Sequence, residues 1–175
     1  MNNIILIGMP SCGKSTVGVL LAKNLGYRFI DTDLVIQERY GKLLHELIAE
    51  RGTKGFLKLE NEICATLKAE RAVISTGGSV IYGKEAMAHL KSIGTVIYLK
   101  ISYQTLATRL GDYVHRGVVL QDGFTLEDLY RERAALYEAY ADYIVDEETC
   151  AGGLSQALEE TLSVCQKILA PSYHL

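Results

Sequence analysis

Gly8-Met9-Pro10-Ser11-Cys12-Gly13-Lys14-Ser15 fits the pattern GxxxxGK[ST], in which each residue type has a physical task. Glycines let the backbone curl so that successive N–H groups converge on a phosphate. The lysine reaches its outer oxygens, and the serine hydroxyl ligates Mg2+. An apolar run ends at Ile7 and an amphipathic stretch follows Ser15, so the loop joins a strand to a helix whose start adds its own positive end. The chemistry expected of this segment is the binding of a nucleoside triphosphate.

Asp31-Thr32-Asp33 follows the second apolar run. In open α/β sheets ligands bind at the C-terminal ends of strands. Two carboxylates there can hold hydrated Mg2+ or accept the proton of a substrate hydroxyl. The structural alternative is that Asp33 or Thr32 caps the next helix. Val73-Ile74-Ser75-Thr76-Gly77-Gly78-Ser79 places a second glycine-rich turn at the end of another strand. It either presents N–H groups to a small polar ligand or is a tight connection that needs positive φ. Three such features on successive strand ends describe one crevice, with a triphosphate on one side and a small acceptor on the other. Arg116 lies in the glycine-punctuated stretch 111–125. A guanidinium delivered by a closing lid neutralises charge on a transferring phosphoryl group, whereas a loop arginine is by default a solvated charge. Arg133, four residues before Tyr137 on a helix, reads by default as half of a surface ion pair.

The elements that must hold these residues alternate along the chain. Strands are expected at Asn3–Ile7, Tyr27–Ile30, Ala72–Ser75, Thr95–Leu99 and Tyr143–Val145, several of them near-continuous in Ile, Val and Leu as strands covered on both faces are. Helices are expected at about 15–25, 34–50, 54–69, 83–92, 101–110, 126–140 and 152–169. The last carries Leu154, Leu158, Leu162, Cys165 and Leu169 at helical spacing, a core-facing stripe. Strand–helix alternation implies an α/β fold with a parallel sheet between two helical layers. At 175 residues, with 49% hydrophobic and 22% charged residues and only 2 prolines, the chain is expected to form one compact domain over 1–175 and to be a monomer. Its net charge of −3 argues against a nucleic-acid partner. Cys12, Cys64, Cys150 and Cys165 form no CxxC pair and read as free thiols in a reducing compartment. The first apolar run, Ile4 to Ile7, is too short for a signal peptide, and no run approaches the ~20 apolar residues of a membrane span. A cytoplasmic, soluble protein is expected.

Together these residues resemble the shikimate kinase family of P-loop small-molecule kinases. The resemblance runs from about residue 3 to residue 146. It takes in Gly13-Lys14-Ser15-Thr16, Asp31-Thr32-Asp33, the Phe56…Glu60 helix, Thr76-Gly77-Gly78, Arg116, and Arg133 with Tyr137 and Ala141-Asp142. It implies a three-layer α/β/α fold with a five-stranded parallel sheet in the order 2-3-1-4-5, a mobile lid, and acceptor-binding helices over about 33–60. It implies transfer of the ATP γ-phosphoryl group to the shikimate 3-hydroxyl. Asp33 would orient that hydroxyl and take its proton, while Lys14 and Arg116 stabilise the transferring charge. Ser11, Cys12, Gly13, Lys14, Ser15 and Thr16 would hold ATP, with Arg109 against the adenine and Arg116 on the phosphates. Ser15 would bind Mg2+, with Asp31 acting through its waters. Gly77, Gly78 and Arg133 would join Asp33 in holding the acceptor.

Three positions depart from the family pattern. Phe56-Leu57 stands where Phe-Arg is usual, and leucine cannot pair with an acceptor carboxylate. Ser79 replaces the third glycine of its turn, and Arg116-Gly117-Val118-Val119 replaces Arg-Pro-Leu-Leu. One lost charge-assisted contact is worth roughly 1.5–3 kcal/mol, or about 10- to 150-fold in affinity. Lys54, three positions before Leu57, could offer a replacement charge from the same helix face. Two other readings remain open on these residues: a kinase of the same fold for another polyol or sugar acid, and a nucleotide-binding module without turnover.

Overall fold

A computed structural model of the chain describes residues 3–110, 124–149 and 153–169. Arg116 and most of the expected lid, 111–125, therefore lie outside the described residues, as does Cys150. Five strands form one parallel sheet: β1 (Asn3–Ile7), β2 (Arg28–Asp31), β3 (Ala72–Ser75), β4 (Gly94–Lys100) and β5 (Tyr143–Asp146). Their order is β2-β3-β1-β4-β5, as the resemblance implied. The helices are α1 (Lys14–Leu25), α2 (Thr32–Tyr40), α3 (Leu44–Ala65), α4 (Lys84–Ile93), α5 (Tyr103–Leu110), α6 (Leu126–Tyr140) and α7 (Leu154–Leu169).

The central strands are buried throughout, which is why they read as unbroken Ile, Val and Leu. Ile4 pairs with Val73 on one side and Thr95 on the other. At the sheet's lower end Asn3 is the polar exception. Its amide donates to the Ala69 and Ile93 carbonyls, each at 2.9 Å, and its carbonyl accepts the Ala72 N–H at 3.0 Å. One side chain thus ties β1 to the entries of β3 and β4. The stripe on α7 lies inward, with Ala157, Thr161 and Cys165 fully covered.

Two expectations about helices need correction. The stretch 34–50 is not one helix. Gly41, at φ 63°, closes α2 by donating its N–H to the Gln37 carbonyl at 2.8 Å. The chain then starts α3, where the Glu46 carboxylate accepts the Leu43 N–H at 2.7 Å. α3 absorbs both the end of that stretch and most of 54–69, with a kink at Gly52, φ 67° and ψ 170°. β2 also begins one residue late, because the Tyr27 N–H closes α1 on the Ala22 carbonyl.

The hydrophobic interior falls into two clusters. The larger surrounds the sheet; the smaller, built from Ile36, Leu47, Phe56, Leu59 and Ile63, lies between α2 and α3.

Candidate active site

The phosphate loop is shaped by its neighbours. Gly8 has φ 151°, and a Cβ there would lie 2.6 Å from the Leu99 carbonyl oxygen and 2.9 Å from Cys12 Sγ, so no larger residue fits. Gly13, the residue before α1, has φ 90° and the Leu154 side chain packed where a Cβ would stand. Ser11 takes φ 61° without being glycine, a strained conformation of the kind held in place at ligand sites. The Lys14 ammonium is buried and donates to the Gly8 and Met9 carbonyls at 2.9 and 2.8 Å. The loop is folded around its own lysine.

Asp31 links this loop to the second strand end. One of its oxygens accepts the Asp33 N–H at 3.0 Å and caps α2; the other accepts the Ser15 hydroxyl at 2.6 Å. Ser75 Oγ stands 3.3 Å from Ser15 Oγ. The cap is thus Asp31 rather than Asp33 or Thr32, which leaves the Asp33 carboxyl free to face the cavity. Burial, and secondarily the Asp31 charge, push Asp33 up to about 6, against the opposing pull of Lys14.

A cavity of about 330 Å3 opens between the loop and the second glycine turn. Ser11, Gly13, Lys14, Ser15 and Thr16 line one side, and Asp33, Gly77, Gly78 and Arg133 the other. Arg133 is no surface charge. It is 1% exposed, its Nε lies 3.4 Å from the Tyr82 hydroxyl, and its guanidinium sits over the Tyr82 ring at 5.4 Å. Tyr137, on the same helix, donates its hydroxyl to the Gly78 carbonyl at 2.5 Å and stacks on Tyr98, so α6 and the turn are fixed together.

Some expected site residues lie elsewhere. Cys12 does not line the cavity; its thiol is buried under Gly8, and its N–H closes the loop on the Met9 carbonyl at 3.2 Å. The Gly77 N–H is taken by Thr32 Oγ1 at 3.1 Å, so this amide is not offered to a ligand. Arg109 is away from the cavity, in a two-pronged ion pair with buried Glu147 at 2.9 and 2.7 Å in the turn after β5. Lys54 is exposed and off the cavity wall, and Leu57 packs into the smaller hydrophobic cluster.

Glu60 was not singled out by itself from the sequence. It lines the cavity at 1% exposure, with Oε2 accepting the Ser79 hydroxyl at 2.6 Å. Burial raises it to about 7, with Asp33 adding to the rise and Ser79, Arg133 and Lys14 opposing it. Its signal was a carboxylate among Phe56, Leu59 and Ile63 on the inward face of a helix.

The family model for shikimate kinase matches residues 10–166. A shikimate kinase of Methylococcus capsulatus is 39% identical over 147 residues, which is 82% of either chain. One from Clostridium botulinum (strain Okra / Type B1) is 42% identical over 143 residues, covering 79% of this chain and 84% of its own. Among solved structures, the shikimate kinase from Acinetobacter baumannii in complex with shikimate superposes with a TM-score of 0.79 at 27% identity, covering 99% of this chain and 96% of that one.

Proposed function

The chain belongs to the shikimate kinase family, and from that premise we propose how its residues divide the work of an ATP-dependent phosphotransferase that acts on a hydroxyl group of shikimate. Asp33 orients the 3-hydroxyl and takes its proton, and its pKa near 6 suits a base that must be ionised near neutral pH. Lys14 exchanges its loop carbonyls for the phosphate oxygens and stabilises the transferring charge, and Arg116 adds a second cation. Ser11, Gly13 and Thr16 contact the phosphates, with Cys12 shaping the loop from beneath. Arg109, its guanidinium plane held by Glu147, flanks the adenine. Arg133 pairs with the acceptor's carboxylate, and Gly77 and Gly78 form the wall against its ring.

The single observation that supports this reading is one cavity walled by Lys14, Asp33 and Arg133, a cation for phosphate, a base and a cation for carboxylate. Mg2+ fits the same corner. Ser15 and Asp31 offer only oxygen, and the described residues hold no cluster of three or more His, Cys, Asp or Glu. Ser15 would hold the ion directly and Asp31 through water, with ATP phosphates completing the shell. When bound, the ion supplies neutralisation of the β- and γ-phosphoryl oxygens. We propose further a single kinase domain acting as a cytoplasmic monomer without a nucleic-acid partner, in keeping with the charge of −3. No described helix is long and apolar enough to cross a membrane.

The test is Mg·ATP-dependent ADP formation with and without shikimate, in the parent and in Leu57→Arg. Shikimate-dependent turnover by the parent is expected, with a lower KM in Leu57→Arg. Turnover gained only in Leu57→Arg would assign the natural acceptor to another polyol. Silence from both would favour nucleotide binding alone.

A further inference from the structure

Glu60 is a buried carboxylate that no step above uses. Ser79 holds its Oε2, while Oε1, covered from solvent, has no hydrogen-bond partner. It belongs to the cavity wall. A Cβ on Gly77 would collide with both Glu60 Oε1 and Asp33 Oδ1, so the two carboxylates converge on the same spot beside that glycine's backbone. Glycine at 77 keeps the spot open, and Phe56 and Leu44 wall it with apolar surface. A buried oxygen with no donor is a cost that a native chain keeps only where something else supplies the hydrogen. Two acceptor oxygens side by side, on separate side chains, match two hydroxyls on adjacent carbons.

We infer that Glu60 is an acceptor-reading residue: Ser79 fixes one carboxyl oxygen, and the other takes the hydrogen of the hydroxyl vicinal to the one that Asp33 engages. The inference rests on the shikimate phosphorylation proposed above, in which the vicinal hydroxyl is that on C4. It also couples two departures from the family pattern. Where Leu57 removes a cation, the Ser79 hydroxyl becomes the group that orients Glu60.

Steady-state rates with shikimate, 4-deoxyshikimate and 5-deoxyshikimate test this on the parent, Glu60→Ala and Glu60→Gln. The parent is expected to lose at least tenfold in kcat/KM with the 4-deoxy compound and much less with the 5-deoxy compound. Glu60→Ala raises the KM for shikimate about tenfold, with kcat within threefold and the KM for ATP unchanged, and shows no further penalty on 4-deoxyshikimate. Glu60→Gln, which keeps the shape and is safe for folding, repeats the pattern at smaller amplitude. Equal penalties for all three acceptors in both variants, or no penalty in either, would overturn the inference while leaving shikimate phosphorylation intact. A parent inactive on shikimate would overturn both.

Discussion

Replacing Glu60 by glutamine removes a buried ionisable group while keeping its shape, and the consequence for stability can be worked out in advance. Glu60 ionises near 4.5 when unfolded and near 7 in the folded chain, mainly because burial disfavours its charge. At roughly 1.4 kcal/mol per pKa unit, the shift corresponds to about 3 kcal/mol. Since the folded state holds the proton more tightly, this stability is fully present below pH 4.5 and is lost as the pH rises through 7. Glutamine has no proton to lose, and its amide carbonyl can still accept from Ser79. Asp33 titrates in both proteins and largely cancels in their difference. Urea unfolding of parent and Glu60→Gln at pH 5, 6, 7 and 8 therefore shows the parent losing about 2–3 kcal/mol relative to the variant across the series, most of it below pH 7. A difference that stays flat from pH 5 to 8 would refute the reasoning, because it would mean that Glu60 carries its charge in the fold at no cost.

Asp33→Asn is expected to lower kcat by about 10²–10⁴ with little change in the KM for ATP; in the parent, kcat measured against pH falls below about 6 as Asp33 takes up its proton. Lys14→Ala loses about 10²–10³ in kcat in the coupled ADP assay, through lost charge stabilisation of the transferring group. Asn3→Ala strands two carbonyls and one N–H at the sheet's lower end and costs about 3 kcal/mol in urea unfolding, whereas a loss below 1 would mean that the three bonds contribute little. Tyr98→Phe removes a fully buried hydroxyl that has no partner. Its thermal midpoint is expected to hold or rise, by up to about 1 kcal/mol of stability.

The phosphate loop was legible because its glycines, lysine and serine are adjacent in sequence and flanked by the strand and helix that the geometry needs. Strand positions were legible to within a residue or so, since buried parallel strands leave unbroken apolar runs. The strand order was not; it came with the family resemblance. The division between α2 and α3 was hidden because Gly41 and Gly52 sit in stretches that are otherwise helical in pattern. What breaks the chain there is left-handed backbone, closed at Gly41 on a carbonyl one turn back. Arg133 read as a surface charge because its sequence neighbours are polar, and only tertiary packing against Tyr82 and the glycine turn buries it. Glu60 was obscured for the converse reason. A carboxylate on an apolar helix face marks a special position, yet its partner Ser79 lies 19 residues away in another element.

The partition of the interior bears on how the molecule opens. Phe56 and Glu60, on the acceptor side of the cavity, belong to a helix anchored in the smaller cluster, whereas the phosphate loop grows from the strands of the larger one. A segment with its own small core is a separate cooperative unit, able to unfold locally at a fraction of the global free energy. Amide hydrogens of α2 and the first half of α3 thus exchange with solvent sooner than those of β1 and β3. Acceptor can enter and product leave by loosening that unit alone, while the strands that hold the triphosphate stay closed.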